Sequence, residues 1–318
     1  MREPIEAFRS AILAALGHAP DVIEPGKLHR FSTNGKRGDS SGWCRLFDDL
    51  RGGVFGDFRT GLSETWSAAN RDAMTQRDRA ELARQIMAAT IERETEQRRQ
   101  WALNVERIAA LWAECVPLVP GDPVTLYLKH RGFAGVWPLP ECLRYHPALP
   151  CWHEGECIGT FPGMVAPLTA PVGRTVALHR TYLTRDGRKA HVPTVKKLTS
   201  ASGPLAGASI ALFKPARGCI GIAEGIETAL AAWLASSVST VAAYSAGNLA
   251  AWQWPPGVQR IVVFADHDPA GVQAAEKLRQ RAVVAGLTVN VIKPTEPGLD
   301  WCDVWAQRDA ALIEGSES

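Results

Sequence analysis

Apolar residues Ile5, Phe8, Ile12, Leu13 and Leu16 recur at helical spacing from Pro4 onward, and Gly17 stands where such a helix would stop. The spacing predicts a short amphipathic helix. From Leu28 to Trp66 the texture changes to HRFSTNGKRGDSSGWCRLFDDLRGGVFGDFRTG, short apolar or aromatic pieces punctuated by Gly, Ser and Asp, as in a small antiparallel β unit. Between Asn70 and about Trp112 there is neither Gly nor Pro. Trp101, Val105, Ile108 and Trp112 are spaced along one helical face, and the charge-rich IERETEQRRQ reads as a solvated face. A long connecting helix is expected there.

Residues 116–149 are Pro-rich and read as irregular, after which Gly159 to Leu183 alternates like strands, so a second β-containing module is expected from near Cys142. From Gly218 the pattern is strand then helix, repeated: CIGIA before EGIETALAAWLA, then STVAAY, then RIVVFA before DPAGVQAAEKLRQRAVVAG, then LTVNVI. That alternation predicts an α/β fold, a small parallel sheet flanked by helices. Four segments follow: a small α+β unit at 1–69, the connecting helix at 70–115, an α+β region at 116–217, and the parallel-sheet domain at 218–318.

Charge alters this picture little, because 35 Lys and Arg against 33 Asp and Glu leave a net charge of +2, so a polyanionic partner would have to be met by local patches. No apolar run is long enough to span a bilayer, and MREPIEAFRS lacks the apolar core of a secretory signal. A cytoplasmic protein with no membrane partner is expected. The seven cysteines form no CxxC pair, which suits reduced thiols. Cys151, His153 and Cys157 offer soft ligands at a spacing unlike a zinc knuckle; a plain loop is the simpler reading, and zinc is left open.

The candidate chemistry lies at the predicted strand ends. In open α/β sheets, groups at the carboxyl ends of parallel strands converge on one crevice. Glu224 directly follows CIGIA, and Asp266 and Asp268 directly follow RIVVFA. Brought together, such carboxylates repel unless a cation neutralises them, and hard, oxygen-binding Mg²⁺ is the obvious candidate. Each has a structural alternative: Asp268 before Pro269 suits a helix N-cap, and Glu224 and Glu227 suit the start of a helix. Asp266 has none. Asp300 and Asp303, three apart, offer a second acidic pair, or Asp300 caps a terminal helix beginning at Trp301.

These residues resemble the toprim domain, and specifically the toprim primases of phages, plasmids and other mobile elements. The resemblance rests on Ala223-Glu224-Gly225-Ile226-Glu227-Thr228-Ala229-Leu230, Ser245-Ala246-Gly247-Asn248, Asp266-His267-Asp268-Pro269-Ala270-Gly271 and Gly298-Leu299-Asp300-Trp301-Cys302-Asp303, in the family's order. Upstream, Leu126-Tyr127-Leu128-Lys129-His130-Arg131-Gly132, His179-Arg180-Thr181-Tyr182-Leu183, and Lys196-Lys197 before Gly203-Pro204-Leu205 extend it from about Asp122 onward.

The resemblance implies a DNA primase that joins nucleoside triphosphates into short RNA primers on single-stranded DNA. Glu224, Asp266 and Asp268 would be catalytic and would hold Mg²⁺ or Mn²⁺, with Asp300 and Asp303 as further metal ligands. Arg180, Lys196 and Lys197 would hold nucleotide or template phosphate. Gly225, Glu227, Gly247, Asn248 and Gly271 would support the site. Two departures stand out: there is no paired-cysteine zinc module, and no GxxxxGK[ST] phosphate loop, so unwinding would fall to a separate replicative helicase. Asn34, Lys36 and Arg37 could add a nucleic-acid contact, and Phe31, Trp43 and Phe47 are expected in a core before a base-stacking surface. The same acids would serve a toprim nuclease. A topoisomerase would need a tyrosine nucleophile, for which Tyr127, Tyr145, Tyr182 and Tyr244 offer no context. A non-catalytic DNA- or helicase-binding adaptor gains nothing from repelling carboxylates. No GxGxxG follows a predicted strand, which argues against a dinucleotide enzyme.

Overall fold

The computed structural model describes residues 2–35, 39–58, 61–68 and 74–314; Lys36 and Arg37, named above as nucleic-acid contacts, lie outside them. The chain divides into two units, residues 1–99 with 152–157, and residues 100–151 with 158–318.

In the first unit the predicted opening helix is α1 (Arg2–Leu16), which buries Phe8 and Ile12 completely. Four antiparallel strands follow in the order β1-β2-β3-β4: β1 (His29–Phe31), β2 (Gly42–Leu46), β3 (Gly52–Asp57) and β4 (Leu62–Ser67). The Phe8 ring presses on β3 at Gly53, where a Cβ would stand 2.7 Å from it, so only glycine lets α1 approach this closely. Phe31 joins the core beneath α1, and Trp43 and Phe47 join a second cluster with Leu82 and Ala89. All three aromatics are core residues.

The long helix is α2 (Gln76–Ala113), and the boundary between the units falls inside it, after Arg99. Its mean hydropathy is low, and its first part is held to the strands by ion pairing of Glu92 with Arg45 and by the Arg93 guanidinium 5.0 Å over the Trp43 ring.

The second unit holds two sheets that share one hydrophobic cluster, and each packs a further cluster of its own. The first is five-stranded, in the order β5-β6-β7-β8-β9: β5 (Val116–Pro117), β6 (Arg144–His153), β7 (Glu156–Thr169), β8 (Thr175–Tyr182) and β9 (Lys196–Leu198). The stretch read as irregular at 116–149 contains a helix, α3 (Pro123–His130). Asp122 caps it, its Oδ1 accepting from Thr125 N at 2.7 Å, and Pro123 occupies the first turn, where its missing N–H costs nothing.

The Cys151–Cys157 segment is a hairpin whose two-residue turn, Glu154 and Gly155, has positive φ at both positions, the twist-matched turn type for a tight hairpin. Cys151 is fully buried in an apolar cluster with Leu149, Val165 and Leu178, whereas Cys157 is exposed. Among the described residues, no three His, Cys, Asp or Glu side chains stand together as a preformed metal cage.

The second sheet is the predicted parallel one, in the order β11-β10-β12-β13: β10 (Cys219–Ala223), β11 (Thr240–Ala242), β12 (Arg260–Phe264) and β13 (Thr288–Ile292). Helices α4 (Ile226–Ser236), α5 (Ala246–Ala251), α6 (Pro269–Val284) and α7 (Trp301–Glu314) connect and flank the strands. Being apolar almost all round, α4 is buried on nearly every side.

One hydrophobic cluster runs through both sheets, with Val124, Tyr127 and Leu128 of α3, Met164 and Leu168 of β7, Ile226 and Leu230 of α4, and Phe264 of β12. The regions at 116–217 and 218–318 therefore share one core. Between them, Ser209 pairs with Thr169 and Ile210 pairs with Ala242 of β11, so a short extended segment stitches the sheets together. No helix among the described residues is long and apolar enough to cross a membrane.

Candidate active site

Ala223 lies beside Phe264 in the parallel register of β10 and β12, so Glu224 and Asp266 leave the sheet at the same edge. The Asp266-His267-Asp268 loop is locked to the chain before α7 by two backbone bonds, Gly298 N to His267 O at 2.8 Å and His267 N to Leu299 O at 3.0 Å. That pairing brings Asp300 to the Asp266 side of the crevice.

Asp266 is the centre of the arrangement. Burial lifts its carboxyl pKa to about 7, and Glu224, Asp300, Asp268 and Asp303, in falling order, add to the rise. Its Oδ1 is buried with no hydrogen-bond partner. Glu224 is also raised, first by burial and then by Asp268, against a hydrogen bond from the Ala246 backbone N–H and the nearby Lys196 charge. Four carboxylates thus lie within electrostatic reach of Asp266, and Asp268 also acts on Glu224, although among the described residues they are not drawn together into a preformed metal cage. Each supplies only hard oxygen, the donor set of Mg²⁺ or Mn²⁺, and the orphaned Asp266 oxygen is the kind of atom a cation would satisfy.

Asp268 and Asp300 have the capping duties expected of them, and Asp303 has one that the sequence alone does not foresee. Asp268 caps α6, its Oδ1 accepting from Gly271 N at 2.7 Å, which leaves its second oxygen uncommitted by that bond. Asp300 and Asp303 form a reciprocal cap at the start of α7, with Asp303 N donating to Asp300 Oδ1 at 2.8 Å and Asp300 N donating to Asp303 Oδ2 at 3.2 Å. Glu224 does not cap α4, where Gly225 holds that position without a side-chain bond; its carboxylate instead accepts from the first N–H of α5, at Ala246.

The cations do not act as one group. Lys196 of β9 lies opposite Thr181 of β8, and Lys197 opposite Arg180. Alternation along the pleat therefore sends Lys196 to one face and Arg180 with Lys197 to the other. Lys196 reaches Glu227 on α4, Nζ to Oε2 2.8 Å. Arg180 Nη2 donates to Leu198 O at 2.9 Å and its guanidinium lies 5.8 Å from the Tyr182 ring.

Two further groups were quoted in the sequence without a role. Tyr127 donates to Glu227 Oε1 at 2.6 Å, and Arg131, at the C-terminal end of α3, comes within 4.0 Å of Asp303. Their spacing of four on a helix puts both on one face, a signal present in LYLKHRG once that segment is read as helical. Trp305 Nε1 donates to Gly132 O at 2.9 Å, fixing α7 against the end of α3. A shallow cavity of about 720 Å³ opens beside Asp268, lined by His267, Gln273, Glu276 and Lys277.

The supporting residues differ in tolerance. A Cβ on Gly271 would stand 2.7 Å from the Asp266 carbonyl oxygen, whereas one on Gly247 would meet nothing within 4 Å. Gly271→Ala is accordingly expected to cost about 1–3 kcal/mol in urea unfolding, by forcing the Asp266 backbone aside. Gly247→Ala, inside a helix with open space, is expected to be neutral or to stabilise by up to roughly 1 kcal/mol. Equal effects of the two would mean that the close approach of α6 to the Asp266 loop carries no weight.

With this geometry in place, comparison with known proteins gives a consistent answer. Residues 219–311 match the family model of the toprim domain. This part of the chain is a toprim domain. Residues 102–211, which share its core, match a domain of unknown function, DUF7146. Over 248 residues, 77% of this chain, the sequence is 27% identical to the DNA primase TraC of Escherichia coli. The match is 21% of that primase, so the chain spans about a fifth of its relative's length.

Similar solved structures include the Aquifex aeolicus primase with its zinc-binding and RNA polymerase domains, at 14% identity over 98% of this chain and 85% of that one, TM-score 0.40. The primase fragment of the bacteriophage T7 primase-helicase matches at 17% identity over 54% of this chain and 66% of that one, TM-score 0.35. A Pseudomonas aeruginosa primase domain matches at 16% identity over 52% and 54%, TM-score 0.35. The family model and the relative together bear out the resemblance to toprim-domain DNA primases.

Proposed function

We propose that this chain is a primase core that makes short RNA primers on single-stranded DNA, with Glu224, Asp266 and Asp268 as its catalytic carboxylates. The observation that supports this most is the buried, unpartnered oxygen of Asp266 among four other carboxylates at the strand ends of a toprim domain. In the reaction a ribose 3′-hydroxyl attacks the α-phosphorus of a nucleoside triphosphate and gives up its proton to water; the new P–O bond forms as the bond to the β-phosphate breaks, and pyrophosphate leaves with the bridging oxygen.

Glu224, Asp266 and Asp268 would hold Mg²⁺ or Mn²⁺, and Asp300 with Asp303 would offer a second position. Such an ion supplies positive charge beside the attacking and leaving oxygens. The chain's own groups do the rest. The Ala246 N–H keeps Glu224 directed into the crevice. Lys196 stands at its edge to meet triphosphate, while Arg180 and Lys197, on the other face of the strands, suit template phosphate. A separate helicase would expose the template, and the work would be cytoplasmic.

The test is incubation with single-stranded DNA, labelled nucleoside triphosphates and Mg²⁺ or Mn²⁺, beside Asp266→Asn, with products resolved by length. Short products from the parent, reduced by at least roughly 10³-fold in the variant, are expected, since losing a metal-binding carboxylate forfeits several kcal/mol of transition-state stabilisation. Shortened template without new product would instead make this a nuclease. No change of either kind across several templates would make it an adaptor.

A further inference from the structure

Glu227 stands apart from the other acids of the toprim domain. Its side chain is only 5% exposed, and both of its oxygens are engaged: Oε1 by the Tyr127 hydroxyl at 2.6 Å and Oε2 by Lys196 Nζ at 2.8 Å. Tyr127 is itself buried in the core shared by α3 and α4. Lys196, by contrast, keeps 40% of its side chain exposed, and its charge reaches Glu224 in the crevice. A carboxylate with both oxygens taken up in the interior is not open to a metal ion.

A buried ion pair is a poor device for stability alone, because desolvating both charges offsets most of their attraction and an apolar pair of similar volume commonly does as well. Here the pair is asymmetric. The acid end is buried and fixed by a second hydrogen bond, while the ammonium end is left at the crevice with donors to spare. Burial would weaken Glu227 as an anion, yet the Lys196 charge and the bonds from Lys196 and Tyr127 outweigh it and hold the carboxyl well below the usual range. His179, on the same face of β8, stays neutral because burial and the Lys196 charge both lower its pKa, to about 4, so it does not compete for Glu227.

We infer that Glu227 is a positioning residue: together with Tyr127 it fixes the flexible Lys196 side chain so that its ammonium is presented to the triphosphate of a nucleotide entering the crevice. The inference rests on reading the crevice as a nucleotidyl-transfer centre. Without the anchor, Lys196 keeps its charge but loses its aim, and each binding event must order four side-chain torsions again.

The test is calorimetric titration of the full chain with ATP and Mg²⁺, which needs no turnover and so stands apart from primer synthesis. Lys196→Ala and Glu227→Gln are each expected to weaken binding about tenfold, the scale of one charged hydrogen bond. The double variant is expected to be no weaker than either, since both remove one device. Tyr127→Phe, which keeps the ion pair, is expected to weaken binding about threefold in the parent and not at all in the Lys196→Ala background. That pair of measurements decides the matter if Glu227→Gln does not fold. Losses that add in the double variants, or a Glu227→Gln protein that melts earlier yet binds ATP like the parent, would overturn the inference, as would a parent that binds no ATP. Primer synthesis is judged separately, by product length.

Discussion

Metal-free Asp266→Asn is expected to melt at a higher temperature than the parent at pH 8 and to gain nothing from added Mg²⁺. The folded-state pKa of Asp266 is about 7, against about 3.9 for an unfolded aspartate. A carboxyl raised in this way holds its proton in the folded state where the unfolded chain has released it. Its contribution to stability is therefore fully present below about pH 4 and is lost as pH rises through about 7. Fully unscreened, that difference would correspond to about 4 kcal/mol, but the group is partly solvated, and screening reduces the expected penalty to about 1–2 kcal/mol.

Asparagine removes that penalty, since it has no charge to bury and none to repel Glu224, Asp300, Asp268 and Asp303. At about 2–4 °C per kcal/mol for a domain of this size, the variant should gain several degrees at pH 8 and little at pH 4. Mg²⁺ at about a hundred times its dissociation constant would stabilise the parent by about 2.7 kcal/mol and reverse the order of the two proteins. Thermal melts at pH 4, 6 and 8, with and without Mg²⁺, measure all of this. A variant less stable than the metal-free parent at pH 8 would show that Asp266 carries no such penalty, and one with the parent's full Mg²⁺ shift would show that Asp266 does not hold the cation.

How much of this was readable from the chain depends on the range of the interaction. The alternation from Gly218 onward is local, and the parallel sheet with its flanking helices follows it closely. Asp268 before Pro269 was readable as a cap for the same reason. The identical signal at Asp122 and Pro123 is masked by the surrounding prolines, and with it α3 and the placement of Tyr127 and Arg131. Lys196 and Lys197 look alike in sequence; neighbours on any strand face opposite ways, but only the placement of β9 decides that Lys196 is the one that reaches Glu227. Glu227 looks like a first-turn acid, and its partners lie 100 and 31 positions away. The shared core across residues 116–217 and 218–318 was equally hidden, because a change of periodicity marks where a sheet begins and says nothing of whether it is packed alone.

Asn248→Ala is expected to destabilise the second unit by about 3 kcal/mol, the largest single loss among the supporting residues. The side chain is buried, its Oδ1 accepts from Gly207 N at 3.1 Å, and its Nδ2 donates to Ala243 O at 3.1 Å and to Ala208 O. Alanine leaves these backbone groups without partners, at about 1–3 kcal/mol each where water cannot reach. The location makes the loss cooperative, because Gly207 and Ala208 lead into the Ser209–Ile210 stitch that joins β7 to β11. Once that stitch loosens, the strand bearing Lys196 is no longer held in register with the crevice bearing Glu224. Asn248→Asp should be worse at neutral pH, since a carboxylate cannot donate to two carbonyls and is buried beside them, and should recover partly in acid as it regains a donor. Urea unfolding at pH 5 and 8, with limited proteolysis of residues 199–209, reads both effects. An alanine variant within about 0.5 kcal/mol of the parent would mean that water replaces the amide and that the two sheets are joined by their common core alone.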